Sequence, residues 1–213
     1  MKMMIWDWNG TLLDDAECCF NILNNLCRAR GLKCLDTVDD YRRIFGFPVS
    51  KIYEQIGIDF SKESFEEISV EYTTQYEDTY HNYGLHEHSL DLLKKNKDEG
   101  IINILLSASQ IDILKKQAEV YKCDIYFDEI LGLDNIYAQS KVELAKEFIN
   151  NTHISADDVV WIGDSVHDYE CAKECGTHCI LVAQGHQPKS LLETTDAIVV
   201  DNLVEAIKRS REI

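Results

Sequence analysis

The amino-acid sequence predicts an α/β fold, in which a parallel sheet lies between two layers of helices and a helical bundle is inserted after the first strand. Two observations lead to this prediction. From about residue 90 onward, short apolar runs alternate with helical patterns, as is typical of repeated strand–helix units. Between residues 14 and 86 the pattern is helical without a strand. A length of 213 residues is sufficient for one core with such an insertion.

The first strand is predicted to end at a carboxylate. Residues 5–11 have the sequence IWDWNGT, an apolar run that delivers Asp7 to a turn containing Gly10. Ligands bind at the carboxyl ends of the strands in open α/β sheets, so the position of Asp7 is suited to an aspartyl nucleophile. Asp7 could equally be an ordinary residue of the turn. Asn9 stands where a second aspartate would serve as general acid and base. An amide does not transfer protons at neutral pH.

The insertion is predicted to hold four helices. Apolar residues at helical spacing indicate a first helix that stops at Gly31, and Thr37 is expected to cap the second. A third is predicted over 49–56, and Ser61 is expected to open the fourth. We therefore predict a core domain made of residues 1–13 and 87–213, and a helical cap domain made of residues 14–86.

The rest of the chain is predicted to alternate strands with helices. Strands are expected at the apolar runs 101–106, 159–162, 179–182 and 197–200. Helices are expected over about 110–121 and 141–150, and two others are expected to end at Gly100 and Gly176.

Three later segments add polar side chains to the predicted strand ends. Ser107 is predicted to end the second core strand, and Lys141 is predicted to open a helix after a loop. Asp164 follows a buried strand, with Asp168 about one helical turn further on. Each residue alone has a plainer explanation as a helix cap or a surface lysine. Together they favour one site, because carboxylates from two strand ends form the oxygen-rich surroundings that Mg²⁺ prefers.

Composition restricts the partners. The formal net charge is -17 at pH 7 and the sequence pI is about 4.7. Such a chain gains nothing from the phosphates of nucleic acid or of an anionic membrane, so neither is expected as a partner. A phosphate ester would be repelled unless a cation lay in the site, which is an indirect argument for a divalent metal. The eight cysteines form no CxxC pair, and neither a signal peptide nor a membrane-spanning run is expected, which favours reduced thiols and a cytoplasmic protein.

These motifs resemble those of the haloacid dehalogenase superfamily. DWNGT at 7–11, the apolar run ending in Ser107, Lys141, and GDSVHD at 163–168 match its four motifs. The resemblance covers nearly the whole chain and looks most like the phosphoglycolate phosphatase subgroup. It implies a Rossmann-like core with a cap, and a Mg²⁺-dependent phosphohydrolase that acts on a small phosphorylated metabolite through an aspartyl-phosphate.

The resemblance also implies a role for individual residues. The expected catalytic residues are Asp7 as nucleophile, Asn9, Ser107 and Lys141. The expected metal ligands are Asp7, the backbone carbonyl of Asn9, Asp164 and, as an occasional direct ligand, Asp168. The expected phosphate contacts are Gly10, Ser107, Ala108 and Lys141. Gly10 and Thr11 are expected to shape the loop.

Asn9 departs from the family pattern, in which phosphatases carry aspartate. A backbone carbonyl is present whatever the side chain, so metal binding is unaffected, whereas protonation of a leaving alkoxide and activation of water are affected. We therefore expect slow turnover of alkyl phosphates, and less effect on acyl or aryl phosphates, whose leaving groups depart as stable anions. Asn9→Asp is expected to raise the rate on alkyl phosphates by about 10² to 10⁴.

Two other hypotheses stay open. The chain could have lost catalysis and bind a phosphate ligand or a partner, with Asn9 as the mark of that loss. Alternatively, it is similar to phosphonoacetaldehyde hydrolases, which have a DWAGT motif and a Schiff-base lysine in the cap close to the position of Lys51. Those enzymes carry arginine where Lys141 stands.

The cap is expected to select the substrate. The candidate cap contacts are Arg42, Arg43 and Lys51. A further group of side chains near the predicted cap–core junction is expected to pack there rather than bind a ligand: His81, Tyr83, His86 and His88. Neither the individual substrate nor the oligomeric state follows from the sequence.

Overall fold

The computed structural model describes residues 1–138 and 140–213. Its strands are β1 (Met3–Trp6), β2 (Ile102–Gln110), β3 (Glu129–Leu133), β4 (Val159–Gly163), β5 (His178–Val182) and β6 (Ile198–Val200). They form one six-stranded sheet in the order β3-β2-β1-β4-β5-β6, and every neighbouring pair is parallel. In a doubly wound sheet of this order the direction of winding reverses between β1 and β4, so a crevice forms beyond the carboxyl ends of these two strands.

Helices cover both faces of the sheet, which confirms the predicted α/β class. The helices that follow the insertion are α5 (Ser89–Asp98), α6 (Ile111–Val120), α7 (Val142–Asn151), α8 (Val166–Cys175), α9 (Lys189–Leu192) and α10 (Leu203–Ser210). On one face Trp6 packs with residues of α5, α6 and α10, whereas on the other Ile5 packs with residues of α7 and α8. Side chains alternate across the strand, so β1 is buried on both sides.

Four helices lie between β1 and α5 and share a hydrophobic core of their own. They are α1 (Ala16–Ala29), α2 (Val38–Ile44), α3 (Ser50–Gln55) and α4 (Phe65–Thr79). Arg30, just after α1, donates to Glu63, which precedes α4, and to Glu71 within α4, and so ties the end of α1 to α4. The domain boundaries at 13/14 and 86/87 stay a prediction.

Three details differ from the sequence-based expectations. Ser64, not Ser61, caps α4, because Ser64 forms a reciprocal capping box with Glu67 while Ser61 bonds to Asp59 in the preceding turn. Ser107 does not end β2, which continues to Gln110 beyond an irregular stretch. The edge strand β3 was not predicted, because its five residues are only partly buried and include a glycine.

None of the helices in the described ranges is both long and apolar enough to cross a membrane.

Candidate active site

The end of β1 holds Asp7 between two buried tryptophans. The indole N–H of Trp6 donates to Asn103 (3.0 Å), and that of Trp8 donates to Gln117 (2.7 Å). Both rings are fully buried, and their polar atoms are satisfied inside the core. The chain is therefore anchored on both sides of Asp7, whose side chain lines the cavity at the end of the strand.

Lys141 brings the positive charge of the site. It precedes α7, is 2% exposed, and its Nζ contacts Asp7 Oδ1, Asp168 Oδ1 (2.7 Å) and the Leu106 carbonyl (3.3 Å). Burial alone would lower the pKa of this ammonium, but the carboxylates of Asp168 and Asp7 outweigh burial and raise the pKa. The side chain is therefore held in its charged form beside the candidate nucleophile.

Asp164 and Asp168 follow β4 and have different surroundings. Asp164 Oδ1 accepts from the Thr11 hydroxyl (3.1 Å), and its Oδ2 accepts from the backbone N–H of His186 (2.5 Å). Asp168 forms the capping box of α8 with Ser165, whose hydroxyl donates to Asp168 Oδ2 (2.6 Å). Since Asp168 also binds Lys141, its oxygens already have partners, and it holds the lysine and the turn in place.

The three carboxylates could hold a hard divalent cation. One oxygen of each of Asp7, Asp164 and Asp168 lies within 4.8 Å of the others. Burial, with the charge of Asp168 close by, raises the pKa of Asp7 to about 8, and burial raises the pKa of Asp164 to about 6. One ammonium does not balance three buried carboxylates. The all-oxygen donor set fits Mg²⁺, with Asp7 and Asp164 the more available ligands.

Gly10 allows this cluster to close. Its φ of +75° is in the left-handed region, and a Cβ there would overlap the Asp164 carboxylate and the His186 ring. The Gly10 N–H donates to Asp15 Oδ1 (2.9 Å) and to the Leu13 carbonyl (2.9 Å). Because this N–H is engaged within the protein, the phosphate contact expected of Gly10 stays a prediction.

The amide of Asn9 is bonded by the protein on every side. Its Nδ2 donates to Asp15 Oδ2 (2.8 Å) and to the Tyr76 hydroxyl (2.7 Å), while its Oδ1 accepts from the Ser109 hydroxyl (2.8 Å). The Tyr76 hydroxyl in turn donates to Asp15 Oδ2 (2.7 Å). The ionised carboxylate of Asp15 can only accept a hydrogen bond. The Asn9 side chain therefore has to point its Nδ2 group, not its Oδ1 atom, at Asp15.

Asp15 and His186 form a buried charged pair behind Asn9. Asp15 is fully buried, and its Oδ1 lies 3.1 Å from His186 Nε2. Burial disfavours the charged form of both residues, but the interaction with the oppositely charged partner has the larger effect. The pKa of Asp15 is therefore lowered, and the pKa of His186 is raised to about 8. The other ring nitrogen of His186 lies 2.6 Å from the Tyr41 hydroxyl of α2. The network thus joins the strand end to two helices of the insertion.

A cavity of about 160 Å³ connects these groups to the insertion. Its charged lining residues lie at the sheet end, around Asp7 and Lys141. The wall opposite is largely aromatic: Tyr41, Phe45, Phe47, Tyr53, Tyr72 and Tyr76. Val49 and Ile52 of the insertion, with Ile113 of α6, complete this apolar part.

The structure brings the other expected phosphate contacts to the cavity. Ser107 and Ala108 both line it, next to Lys141 and Asp7. Ser107 is buried, and its Oγ accepts from the Ser109 N–H (3.1 Å). The hydroxyl proton of Ser107 is not used in this bond, so it is donated elsewhere. Their binding of a phosphoryl group stays a prediction.

The candidate cap contacts lie elsewhere. Arg42 Nε donates to the Gly185 carbonyl (2.9 Å), and Arg43 pairs with Asp40 (2.6 Å). The side chain of Lys51 is exposed. None of these three basic residues lines the cavity, so their contact with substrate stays a prediction.

The junction residues have mixed surroundings. His86 Nε2 lies 3.0 Å from the Gly10 carbonyl, so this histidine packs against the loop after β1. The Tyr83 hydroxyl accepts from Asn21 (3.2 Å), whereas His81 and His88 are exposed.

Sequence reasoning missed four residues of the network: Asp15, Tyr41, Tyr76 and His186. The spacing of the two tyrosines fits the apolar faces of helices and gives no sign of the partners of their hydroxyls. His186 had a usable signal, because it comes shortly after β5 and therefore at the same edge of the sheet as Asp7. Asp15 and His186 are 171 positions apart, so their pairing follows only from the fold.

Comparisons with known proteins agree with this architecture. The phosphoglycolate phosphatase of Pseudomonas fluorescens is 22% identical over 95% of this chain and 77% of its own length. A protein of Caldanaerobacter subterraneus subsp. tengcongensis, provisionally named pyrophosphatase PpaX, is 23% identical over 96% of this chain and 94% of its own. A haloacid dehalogenase-like hydrolase structure from Streptococcus pneumoniae superposes with a TM-score of 0.83 at 17% identity, over 98% of each chain.

The profile described as haloacid dehalogenase-like hydrolase matches residues 4–182, a range that includes Asp7, Lys141 and Asp164. The chain therefore belongs to the haloacid dehalogenase-like hydrolase family.

Proposed function

We propose that this protein is a Mg²⁺-dependent phosphohydrolase that cleaves a small phosphorylated metabolite through an aspartyl-phosphate on Asp7. One observation carries the proposal: a buried carboxylate faces a cavity at the switch point of the sheet, with Lys141 on one side and Asp164 on the other. The names of the two curated relatives, a phosphatase and a pyrophosphatase, support phosphate as the transferred group.

Each residue has a defined task in this proposal. The Asp7 carboxylate attacks phosphorus, while Lys141, the Ser107 hydroxyl and the backbone at Ala108 hold the phosphoryl oxygens. Asp7, Asp164 and the Asn9 carbonyl would hold Mg²⁺, which supplies positive charge against the anionic substrate. Asp168 keeps Lys141 in position.

Asn9 supplies no proton in either half-reaction. Its two amide hydrogens are already donated to Asp15 and Tyr76, and an amide does not transfer protons at neutral pH. Protonation of a departing alkoxide and activation of the hydrolytic water therefore lack the usual residue, and we expect the aspartyl-phosphate to accumulate.

Asp7→Asn tests the proposal. We expect Mg²⁺-dependent turnover of phenyl phosphate and acetyl phosphate to fall by about 10⁴-fold or more, because the nucleophile is removed. The fold should persist, since Lys141 keeps Asp168 as a partner. Asp14→Asn is the matched control, because the Asp14 side chain is 59% exposed. Wild-type activity in Asp7→Asn would overturn the assignment.

The two other hypotheses predict different results. A protein that only binds a phosphate ligand would show micromolar binding by calorimetry without Asp7-dependent hydrolysis. Cleavage of phosphonoacetaldehyde through Lys51 would require that amine to enter the cavity, whereas Lys51 is exposed and outside the lining. The position of Lys51 therefore favours the phosphohydrolase.

A further inference from the structure

We propose that the substrate is an aryl phosphate, an ester of phosphate with an uncharged aromatic hydroxyl compound. This inference rests on the proposed phosphohydrolase and adds the class of the leaving group. Two independent observations carry it: the chemistry of the cavity wall opposite Asp7, and the absence of a proton donor at Asn9.

The wall opposite the phosphoryl end offers aromatic surface and no unpaired positive charge among the described residues. The cations that line the cavity are Lys141 and His186, and both are already paired: Lys141 with Asp7 and Asp168, and His186 with Asp15. An aromatic ring gains free energy from burial against such a wall and from tilted or stacked contact with its rings.

Two of the four tyrosines in the wall, Tyr41 and Tyr76, have hydroxyls that are bonded within the protein. The Tyr41 hydroxyl is taken by His186 and the Tyr76 hydroxyl by Asp15, so both polar tips have partners inside the protein. A carboxylated or second phosphorylated leaving group would lose its hydration here without gaining an unpaired cation, because His186 is already paired with Asp15. Phosphoglycolate and pyrophosphate, suggested by the names of the relatives, are therefore poor matches for this chain.

The size of the cavity fits one ring. Its volume is about 160 Å³. An apolar protein cavity of about 150 Å³ is known to bind benzene. Because the same cavity must also hold the phosphoryl group beside Asp7 and Lys141, the leaving group can be no larger than one ring.

The leaving group must depart without help from Asn9. A phenol ionises with a pKa of about 10, as tyrosine does. A simple alcohol resembles water, with a pKa of about 16. Phenolate therefore leaves as an anion where an alkoxide would require a proton. Acyl phosphates also have a stable leaving anion, but that anion is a carboxylate, which finds no unpaired cation in the wall.

The reaction balances with water as the only co-reactant. A carboxylate oxygen of Asp7 attacks phosphorus, the bond from phosphorus to the aryl oxygen breaks, and its electron pair leaves with phenolate, which then takes a proton from water. Water attacks the aspartyl-phosphate at phosphorus, the bond to the Asp7 oxygen breaks, and the carboxylate is regenerated as inorganic phosphate and a proton are released.

Four substrates of similar size separate the contributions: phenyl phosphate, cyclohexyl phosphate, acetyl phosphate and phosphoglycolate. We expect kcat/KM for phenyl phosphate to exceed that for cyclohexyl phosphate by about 10² or more, because only the alkoxide needs an acid. It should exceed the value for acetyl phosphate by about tenfold to a hundredfold, because only the ring is buried. It should exceed the value for phosphoglycolate by about 10² or more, because that leaving group is also an alkoxide. Faster turnover of acetyl phosphate or phosphoglycolate would overturn the inference and leave the phosphohydrolase standing.

Binding distinguishes the ligand classes even if no substrate turns over. Benzylphosphonate and 3-phosphonopropionate replace the bridging oxygen of phenyl phosphate and phosphoglycolate by carbon and cannot be hydrolysed at phosphorus by this route. Calorimetry with wild-type protein and Mg²⁺ should show at least about tenfold tighter binding of benzylphosphonate. The reverse order contradicts the aromatic class. Absence of Asp7-dependent turnover of all four substrates would contradict the proposed function separately.

A lysine added to the wall should reverse the preference. Val49 is half-buried and lines the cavity, whereas Val70 on α4 is 55% exposed. We expect Val49→Lys to weaken the binding of benzylphosphonate about tenfold and to strengthen the binding of 3-phosphonopropionate. The affinities of Val70→Lys for both ligands should equal those of the wild type. If Val49→Lys fails to fold, Val49→Thr against Val70→Thr is the substitute pair, with a severalfold loss for benzylphosphonate alone. An unchanged ratio of the two affinities in a folded Val49 variant would contradict the inference.

Discussion

The two ends of the cavity are built on different physical principles. At the sheet end, Lys141 and the carboxylates of Asp7 and Asp168 are buried and paired, so charge dominates. At the end facing the insertion, the lining is aromatic, and Asn9 has a neutral amide whose hydrogens are already engaged. The first end is suited to a phosphoryl group and the second to an uncharged ring. Under the proposed function, the helices of the insertion would select the substrate and the end of the sheet would carry out group transfer.

Asn9 and Asp15 show how the second end stays neutral. A carboxylate is present, but it lies behind the cavity at position 15, where His186 balances it. An aspartate at position 9 would face Asp15 at the distance of the present 2.8 Å hydrogen bond. Two carboxylates that close share a proton rather than ionise together. Neutrality at position 9 is therefore a consequence of the charge at position 15.

The largest effect is expected from removal of the positive charge. Lys141→Met leaves Asp7 and Asp168 buried without their cation, so the free energy of unfolding should fall by about 3 to 5 kcal/mol and hydrolysis should be lost. Urea unfolding in the presence of a chelator measures the stability change. Lys116→Met is the control, because Lys116 is 62% exposed and lies 3.7 Å from Glu77 at the surface. Its expected loss is about 0 to 1 kcal/mol. Equal losses in both variants would contradict the distinction between the two environments.

The next largest effect concerns proton transfer. Exchange of the two groups, Asn9→Asp with Asp15→Asn, keeps one carboxylate and one amide in contact but moves the carboxylate to the cavity. We expect this double variant to raise the rate on cyclohexyl phosphate by about 10² to 10⁴, with much less gain on phenyl phosphate. Single-turnover formation of phospho-enzyme is the measurement.

The single variant Asn9→Asp sharpens this test. Like charges in contact should raise one carboxyl pKa, so we expect a smaller gain than in the double variant. An equal or larger gain in the single variant would show that Asp15 does not restrain position 9. Equal gains on alkyl and aryl phosphates would show that departure of the leaving group is not limited by Asn9.

A smaller effect is expected from the hydroxyl that joins Asn9 to Asp15. Tyr76→Phe removes one hydrogen bond to each of these residues, so the free energy of unfolding should fall by about 1 kcal/mol and phospho-enzyme formation should slow severalfold. Tyr169→Phe is the control, since its hydroxyl contacts Asp196 at the surface. Wild-type kinetics in Tyr76→Phe would show that this hydroxyl has no part in the function of Asn9 and Asp15.

The smallest effect is expected outside the cavity. Lys51→Ala should change kcat/KM on phenyl phosphate by no more than about twofold, because the side chain is exposed and away from the lining. Borohydride trapping with phosphonoacetaldehyde checks the same residue. Trapped label on Lys51 that disappears in Lys51→Ala would support the carbon–phosphorus hydrolase instead.

The sheet end could be predicted from the sequence because strand ends constrain it. Asp7 and Asp164 each follow an apolar run, and parallel strands bring their carboxyl ends to one edge. The edge strand β3 escaped detection because partial burial leaves a weak apolar pattern. The α/β class needed no side-chain detail, since alternation of strand and helix patterns was enough.

The aromatic end of the cavity, which faces the insertion, could not be predicted from the sequence, for physical reasons. Tyr41 and Tyr76 satisfy helical periodicity like any buried aromatic residue, and periodicity does not say which rings border a cavity. Asp15 and His186 are joined only when β5 lies next to β4. Pairing over such a separation depends on tertiary structure, so the cause of the neutral position 9 is visible only in the fold.

Peptide mass mapping of acid-quenched protein tests the central claim most directly. During steady-state turnover with Mg²⁺, wild-type protein given phenyl phosphate should carry one phosphoryl group on Asp7, and protein given cyclohexyl phosphate should carry little. In the double variant Asn9→Asp with Asp15→Asn the phosphoryl group should be discharged faster, so less should accumulate. A phosphoryl group on another residue, or equal labelling of Asp7 by the aryl and the alkyl ester, would contradict the account.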